Sequence, residues 1–455
     1  MRIAPARRLR GSVSLPGDKS ISHRAALIAA VARGRSHLTN FSTSSDCAST
    51  LACLAQLGVR IERNGNDVWI EGVGPGGFSA PKQALDCGNS GSTMRMLAGL
   101  LAGCDFTSTL TGDDSLRSRP MKRILAPLEI MGARIKSEDG FPPLRITGNR
   151  NLKPISYELP VASAQVKTCL LLAGLHANGR TEVTERTGAS RDHTERMLRW
   201  FGVAVETVAR ARKAEPLTTH TLEGVTGPAS FAGREVNIPG DFSSAAFLIA
   251  AASLLPASQL DIDGVGLNPT RTQLLDLLRT FGDIETADTR EVCNEMQGTL
   301  RIRGMEPGID SMTQASSIAV ARPVPNSPVR IDGQLSATLI DELPLVAVIG
   351  TQLPGGLSIS DAKELQFKET DRIAATVANL RAMGAEVEEY EDGLKTDGPA
   401  RLQGALLDSY GDHRIAMAFT VAALLADGES ELAGSECVAV SFPEFFECLE
   451  SVVER

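Results

Sequence analysis

The sequence predicts an α/β protein made of six like units grouped three and three. Three observations carry that prediction. A short phrase recurs at intervals of roughly 70 to 100 residues. A helix with no polar face precedes each copy, and the opening motif restarts about halfway along the chain.

The phrase reads QLGVRIE from Gln56, IMGARIK from Ile130, WFGVAVE from Trp200, TFGDIET from Thr280 and AMGAEVE from Ala382. In each copy an amphipathic helix ends, a glycine supplies a left-handed stop, and an alternating strand follows. The predicted amphipathic helices run over 47–57, 120–131, 192–201, 269–281 and 369–383. The carboxy-terminal FPEFFECLESVVER reads as a sixth such helix whose strand is cut off. The second helix of each unit reads RAALIAAVA, TMRMLAGLLAG, AQVKTCLLLAGL, SSAAFLIAAASLL, DELPLVAVIGTQL and HRIAMAFTVAALLA. A helix that is apolar all round is buried on every side.

LPGDKSISHRAALIAA from Leu15 is echoed by IPGDFSSAAFLIAAA from Ile238, as though the chain begins again. Two domains follow, 19–239 and 240–455, with residues 1–18 completing the second and a hinge near 16–18 and 239–241. A strand ending at Leu15 gives way at Pro16–Gly17 to a helix starting near Ser20. The stretches 209–227 and 310–328 read as loops or insertions.

Composition narrows the class. At 455 residues, one ordinary core is too small. Hydrophobic content of 42% with 22% charged residues is that of a globular protein, and only 4% aromatic content makes the core aliphatic. A net charge of −9 gives no general attraction to nucleic acid or an anionic membrane. Eight scattered cysteines, without CxxC or zinc spacing, indicate a reducing compartment and no metal site. The basic amino terminus lacks the apolar run of a signal peptide, and the longest apolar stretches fall short of the ~20 residues that span a bilayer. A cytoplasmic location is expected.

Polar residues gather where the buried helices begin: Lys19, Ser20 and Arg24; Asn89, Gly91 and Arg95; Ser163, Gln165 and Lys167; Asp241, Ser243 and Ser244; Asp341 and Glu342; Asp412, His413 and Arg414. Arg119 and Lys122, Arg191 and His193, and Lys368, Glu369, Asp371 and Arg372 stand near the starts of amphipathic helices. Amide-rich helix starts flanked by arginine and lysine suit phosphates and carboxylates. Pseudo-symmetry would aim these ends into a cleft between the domains, for strongly anionic small molecules. GDKS at Gly17 lacks the first glycine of a nucleotide P-loop, and GVGPGG at Gly72 reads as a turn.

The ordered set LPGDKSISHR, GNSGSTMR, SRPM, SAQVKT, SRDHTE, KETDR, GDHR and SFPEF spans the whole chain and resembles the 5-enolpyruvylshikimate-3-phosphate synthase family. The resemblance implies two pseudo-threefold domains, each of three βαβαββ-type units, in an inverted α/β barrel-like fold with a cleft between them. It implies transfer of the enolpyruvyl group of phosphoenolpyruvate to the 5-hydroxyl of shikimate 3-phosphate, without metal or organic cofactor, by a monomer. Lys19, Ser20, Arg24, Ser163, Ala164, Gln165, Arg191, Asp341 and Lys368 would hold shikimate 3-phosphate. Lys19, Gly91, Arg119, Gln165, Arg372 and Arg414 would hold phosphoenolpyruvate. Asp341 would take the hydroxyl proton, with Glu369 and Lys19 handling the proton at the methylene carbon.

SAQVKT, SRDHTE and Glu364 resemble the bacterial branch that includes glyphosate-tolerant members. Val440 and His193 replace a Lys and a Tyr of another branch. Gly91 stands where some tolerant members carry Ala, and the expectation from it is a glyphosate-sensitive enzyme. The related transferase acting on UDP-N-acetylglucosamine carries a loop cysteine that Asp114, Ser115 and Leu116 do not supply. A non-catalytic repeat scaffold would explain the period but not the clustered acids, bases and cations.

Overall fold

The computed structural model describes residues 1–186, 190–212, 215–225, 231–279, 282–304 and 327–455. The chain divides into two compact units. The amino-terminal unit comprises Pro16–Pro239 with Glu291–Glu295, and the carboxy-terminal unit comprises Met1–Leu15, Gly240–Arg290 and Met296–Arg455. The return of residues 291–295 to the amino-terminal unit has no sequence signal.

The six apolar segments are helices: Lys19–Val31, Gly91–Ala102 and Ala164–Gly174 in the amino-terminal unit, and Phe242–Leu254, Leu343–Gly350 and His413–Leu425 in the other. Within each unit they pack on one another. Each unit has its own aliphatic core around these helices.

Three sheets surround the helices of each unit, and five of the six repeat one plan: a parallel pair extended by an antiparallel hairpin. In the amino-terminal unit Glu235–Asn237 pairs parallel with Arg33–Thr39, which continues antiparallel to Asp67–Val73 and Arg60–Asn64. Leu85–Asp86, Thr107–Thr111, Phe141–Thr147 and Arg134–Glu138 repeat the order, as do Ser156–Glu158, Arg180–Arg186, Glu215–Glu223 and Val205–Arg212. In the carboxy-terminal unit Arg8–Ser14 pairs parallel with Gln259–Gly266. In the sixth unit Arg2–Ile3 occupies the place of the hairpin, antiparallel to Ser430–Ala433.

Two expectations need correction. The stretch 209–227 is largely sheet: Val205–Arg212 and Glu215–Glu223 pair in register from Val205↔Leu222 to Arg212↔Glu215. Its alternation is hidden because the inward residues beside Leu222 are Thr218 and His220, so the buried face is mostly polar. The carboxy-terminal helix, Phe445–Glu450, is followed by a short strand, Val453–Glu454, paired to Arg8–Ser14. The phrase glycines Gly58, Gly132, Gly202 and Gly384 adopt positive φ, as expected. Most of the 310–328 stretch lies outside the described residues, as do Thr280 and Phe281 of the fourth phrase.

A second glycine series was not legible. Gly72, Gly148, Gly224, Gly304 and Gly398 stand at or just beyond the end of a hairpin strand and press on carbonyls at the carboxy end of the buried helix in their unit. A Cβ at Gly148 would lie 2.2 Å from the Cys104 carbonyl oxygen and 2.4 Å from that of Leu101. Neither backbone can yield cheaply. Gly148→Ala is therefore expected to cost about 1–3 kcal/mol of stability, read as a lower denaturant midpoint of the full chain with an unchanged slope.

Candidate functional site

In the amino-terminal unit, Asp18 caps Lys19–Val31 by accepting the Ile21 amide at 2.8 Å, which leaves Lys19 and Ser20 on the first turn. Lys19 Nζ lies 2.9 Å from Asp46. Arg24 is 1% exposed; its Nε donates to Thr194 Oγ1 at 2.8 Å and its other nitrogens to Thr168 Oγ1 and to the Ser20 carbonyl and hydroxyl. His23 is buried beside them, and burial together with the Lys19 and Arg24 charges holds its imidazole well below its ordinary value.

Ser90 and Ser163 cap the other two buried helices. Arg95 donates to Gln165 Oε1 at 2.7 Å and Gln165 Nε2 to Ser92 at 2.9 Å, so both ends of that amide are fixed to the neighbouring helix. Arg119 is buried, with one guanidinium nitrogen donating to Asn89 Oδ1 at 2.7 Å and to Ser115 Oγ at 2.9 Å. The face of Gly91 looks onto these groups: a Cβ there would lie 2.8 Å from Arg95 Nη1 and 3.7 Å from Arg119 Nη1. Ala164 opens its helix and Arg191 precedes the helix His193–Trp200.

In the carboxy-terminal unit, one guanidinium organises the candidates. Arg372, 2% exposed, donates through Nε to Asp412 at 2.7 Å and through Nη2 to Glu369 at 2.7 Å, with Asp341 3.6 Å from Nη1. Burial alone would lower its pKa, and the Asp412, Glu369 and Asp341 charges more than offset this and raise it. Lys368 Nζ lies 3.4 Å from Asp341 and 3.8 Å from Glu364. Arg414 reaches Glu342 at 3.5 Å. Glu342 also accepts from Ser243, which Arg271 approaches in turn.

Neither proton-transfer candidate occupies an N-cap position. Helix Arg372–Ala382 is capped by Asp371, leaving Glu369 ahead of the helix, and Leu343–Gly350 begins after Glu342 without a side-chain cap. Asp241 by contrast is occupied, accepting the Ser243 and Ser244 amides.

Two residues expected among the helix-start donors turn inward. His193 Nδ1 is 2.7 Å from Glu295, both buried. Lys167 Nζ lies 2.9 Å from Glu185 and 2.8 Å from Glu195, and His220 lies 3.2 Å and 2.9 Å from the same two carboxylates. All four are 0% exposed. Asp46, Thr168, Thr194 and Asp412 as partners were missed, since their contacts link positions 27 to 170 residues apart.

Comparison with known proteins fits this geometry. In fold the chain matches an enolpyruvyl transferase from Streptomyces tendae, NikO, with a TM-score of 0.74 over 100% of this chain and 97% of that one, at 19% identity. The class is therefore that of the enolpyruvyl transferase fold. Residues 3–449 match the family pattern described as EPSP synthase (3-phosphoshikimate 1-carboxyvinyltransferase). A 3-phosphoshikimate 1-carboxyvinyltransferase of Desulfitobacterium hafniense is 46% identical over 100% of this chain and 98% of its own length. One of Koribacter versatilis is 48% identical over 100% and 99%. The EPSP synthase structure from Acinetobacter baumannii has a TM-score of 0.81 at 36% identity, covering 99% of this chain and 98% of that one. The chain belongs to the EPSP synthase family. It is a transferase of the shikimate pathway, moving the enolpyruvyl group of phosphoenolpyruvate to shikimate 3-phosphate. Among the described residues no helix is long and apolar enough to cross a membrane.

The buried quartet gives stability a pH window. Burial would raise the pKa values of Glu185 and Glu195, and Lys167 with His220 lowers both instead. Burial would lower His220, and the two carboxylates raise it above 6.5. The carboxylate contribution is present above their ordinary 4.5 and lost as pH falls through the lowered values. The His220 contribution is full below 6.5 and lost as pH rises through its raised value. Denaturant midpoints of the full chain should thus decline on both sides of a plateau, and His220→Gln should abolish most of the alkaline decline.

Proposed function

We propose that the residues described above hold and process the two substrates as follows. Lys19, Ser20, Arg24, Ser163, Ala164, Gln165, Arg191, Asp341 and Lys368 bind shikimate 3-phosphate, and Lys19, Gly91, Arg119, Gln165, Arg372 and Arg414 bind phosphoenolpyruvate. Asp341 accepts the 5-hydroxyl proton as that oxygen attacks C2 of phosphoenolpyruvate. Glu369, with Lys19, delivers a proton to the methylene carbon, giving a tetrahedral adduct with a methyl group. The same pair withdraws a proton from that methyl as the C2–O bond to phosphate breaks, restoring the vinyl group and releasing phosphate. Arginines stabilise the charge that develops on the carboxylate and the departing phosphate. Only protons move between protein and substrate, so no metal or organic cofactor is required.

The observation that carries the reading is the cluster of Asp341, Lys368, Glu369 and Arg372, where two carboxylates share one guanidinium. We further take the enzyme to be a cytoplasmic monomer without nucleic-acid partners. Its net charge of −9, with cations gathered locally, supports binding of small anions rather than a polyanion.

Phosphate release from phosphoenolpyruvate and shikimate 3-phosphate tests the roles. Asp341→Asn and Glu369→Gln should each lower kcat by about 10²–10⁴, with the thermal midpoint nearly unchanged. Wild-type turnover in either variant would remove that residue from the proton path.

Gly91 sets the room beside the phosphoenolpyruvate arginines. A methyl group there displaces Arg95 from its 2.8 Å approach and narrows the space that glyphosate needs. The wild-type enzyme should be inhibited by glyphosate and Gly91→Ala should relieve inhibition; superimposable inhibition curves would refute this.

A further inference from the structure

Lys167, Glu185, Glu195 and His220 take no part in the scheme above, yet they form the densest buried charge in the amino-terminal unit. They come from the buried helix Ala164–Gly174, strand Arg180–Arg186, helix His193–Trp200 and strand Glu215–Glu223. With His220 protonated the four charges sum to zero. Burying such groups costs several kcal/mol per ion, and packed apolar side chains often serve stability as well. Their placement points to a second use.

Both backbone groups of Ser190 are held by this cluster: Lys167 Nζ donates to its carbonyl at 3.4 Å, and its amide donates to Glu185 Oε2 at 3.2 Å. The next residue is Arg191. On the other side, Thr168 and Thr194 adjoin Lys167 and Glu195 in sequence, bond each other at 2.6 Å, and both accept from Arg24. The cluster therefore fixes the backbone from which Arg191 projects and braces the threonines that hold Arg24.

We propose that the Lys167–Glu185–Glu195–His220 cluster is a positioning device that presents Arg191 to the phosphorylated substrate. The proposal rests on the assignment of Arg191 to shikimate 3-phosphate. It also gives that binding a pH dependence. His220 Nε2 faces Glu185, its Nδ1 faces Glu195 and Thr207, and Lys167 lies across the two carboxylates. Loss of the His220 proton leaves the cluster with a net negative charge and loosens the grip on Ser190.

The test is steady-state kinetics of the full-length enzyme with His220→Gln, and with the charge-balanced pair Lys167→Gln and Glu185→Gln. Each should raise KM for shikimate 3-phosphate about tenfold, with KM for phosphoenolpyruvate and kcat within about twofold. The wild-type KM for shikimate 3-phosphate should rise at alkaline pH, and His220→Gln should flatten that rise. Arg191→Ala should raise the same KM, and adding His220→Gln to it should produce no further increase. A lower melting temperature with unchanged KM and pH profile would make the cluster purely structural and overturn the proposal. Additive effects in the double variant would overturn it too. An unchanged KM in Arg191→Ala would instead sink the assignment of Arg191. Should the charge-balanced pair fail to fold, His220→Gln alone decides.

Discussion

The constraint on which everything else depends is the near-complete burial of six helices. A helix hidden on all sides must satisfy its end groups within the protein, because water does not reach them. At the carboxy ends, five strand-end glycines let sheet backbone press against the last carbonyls. At the amino ends, Asp18, Ser90, Ser163, Asp241 and Asp412 each accept an amide of the first turn. The exception is Leu343–Gly350, where no side chain caps and Pro344 has no amide to satisfy. Asp341 stands at that exceptional helix start.

Burial also decides which charges serve the site and which serve the frame. Lys167 and His220 neutralise Glu185 and Glu195 where solvent cannot, and removal of one partner from such a pair typically costs about 3–5 kcal/mol. Arg24 and Arg372 are almost as buried, but Arg24 lies one turn beyond Lys19 and Ser20 on its helix, and Arg372 opens a helix that Lys368 and Glu369 precede. Full burial fixes the orientation of a guanidinium, so an arriving anion meets donors already in place rather than side chains it must first order.

How much of this was legible in the sequence follows from what local pattern can encode. The buried helices stand out because few polar residues interrupt them beyond their starts, and the phrase glycines Gly58, Gly132, Gly202 and Gly384 are left-handed because a helix must stop there before a strand. The sequence assigns the first strand to the second half, since a motif that restarts leaves an unmatched strand ahead of it; Arg8–Ser14 pairs parallel with Gln259–Gly266. The pair Val205–Arg212 and Glu215–Glu223 was hidden because its inward face is threonine and histidine, which carry no apolar alternation. Lys167 was misread for a related reason: at a helix start among Ser163 and Gln165 it has the pattern of a donor, and only the distant Glu185 and Glu195 show that it faces inward. The relevant contacts cross between elements, and periodicity within one element contains no trace of them.

Under the proposed roles of Asp341 and Glu369, a single cation at Arg372 suits a reaction that employs two carboxylates differently. Asp341 and Glu369 would repel each other if both stood ionised in a half-buried place without a partner. Arg372 lies within 3.6 Å of one and 2.7 Å of the other, while Asp412, fully buried, accepts from Nε and fixes the plane of the guanidinium. Asp412 is itself fixed, because it caps the helix that carries Arg414. One cap thus sets the orientation of Arg372 and the start of the Arg414 helix together, and a displacement of either arginine would disturb the other. The two carboxylates can then differ in task because they differ in neighbour: Asp341 lies beside Lys368 as well, whereas Glu369 leans on Arg372.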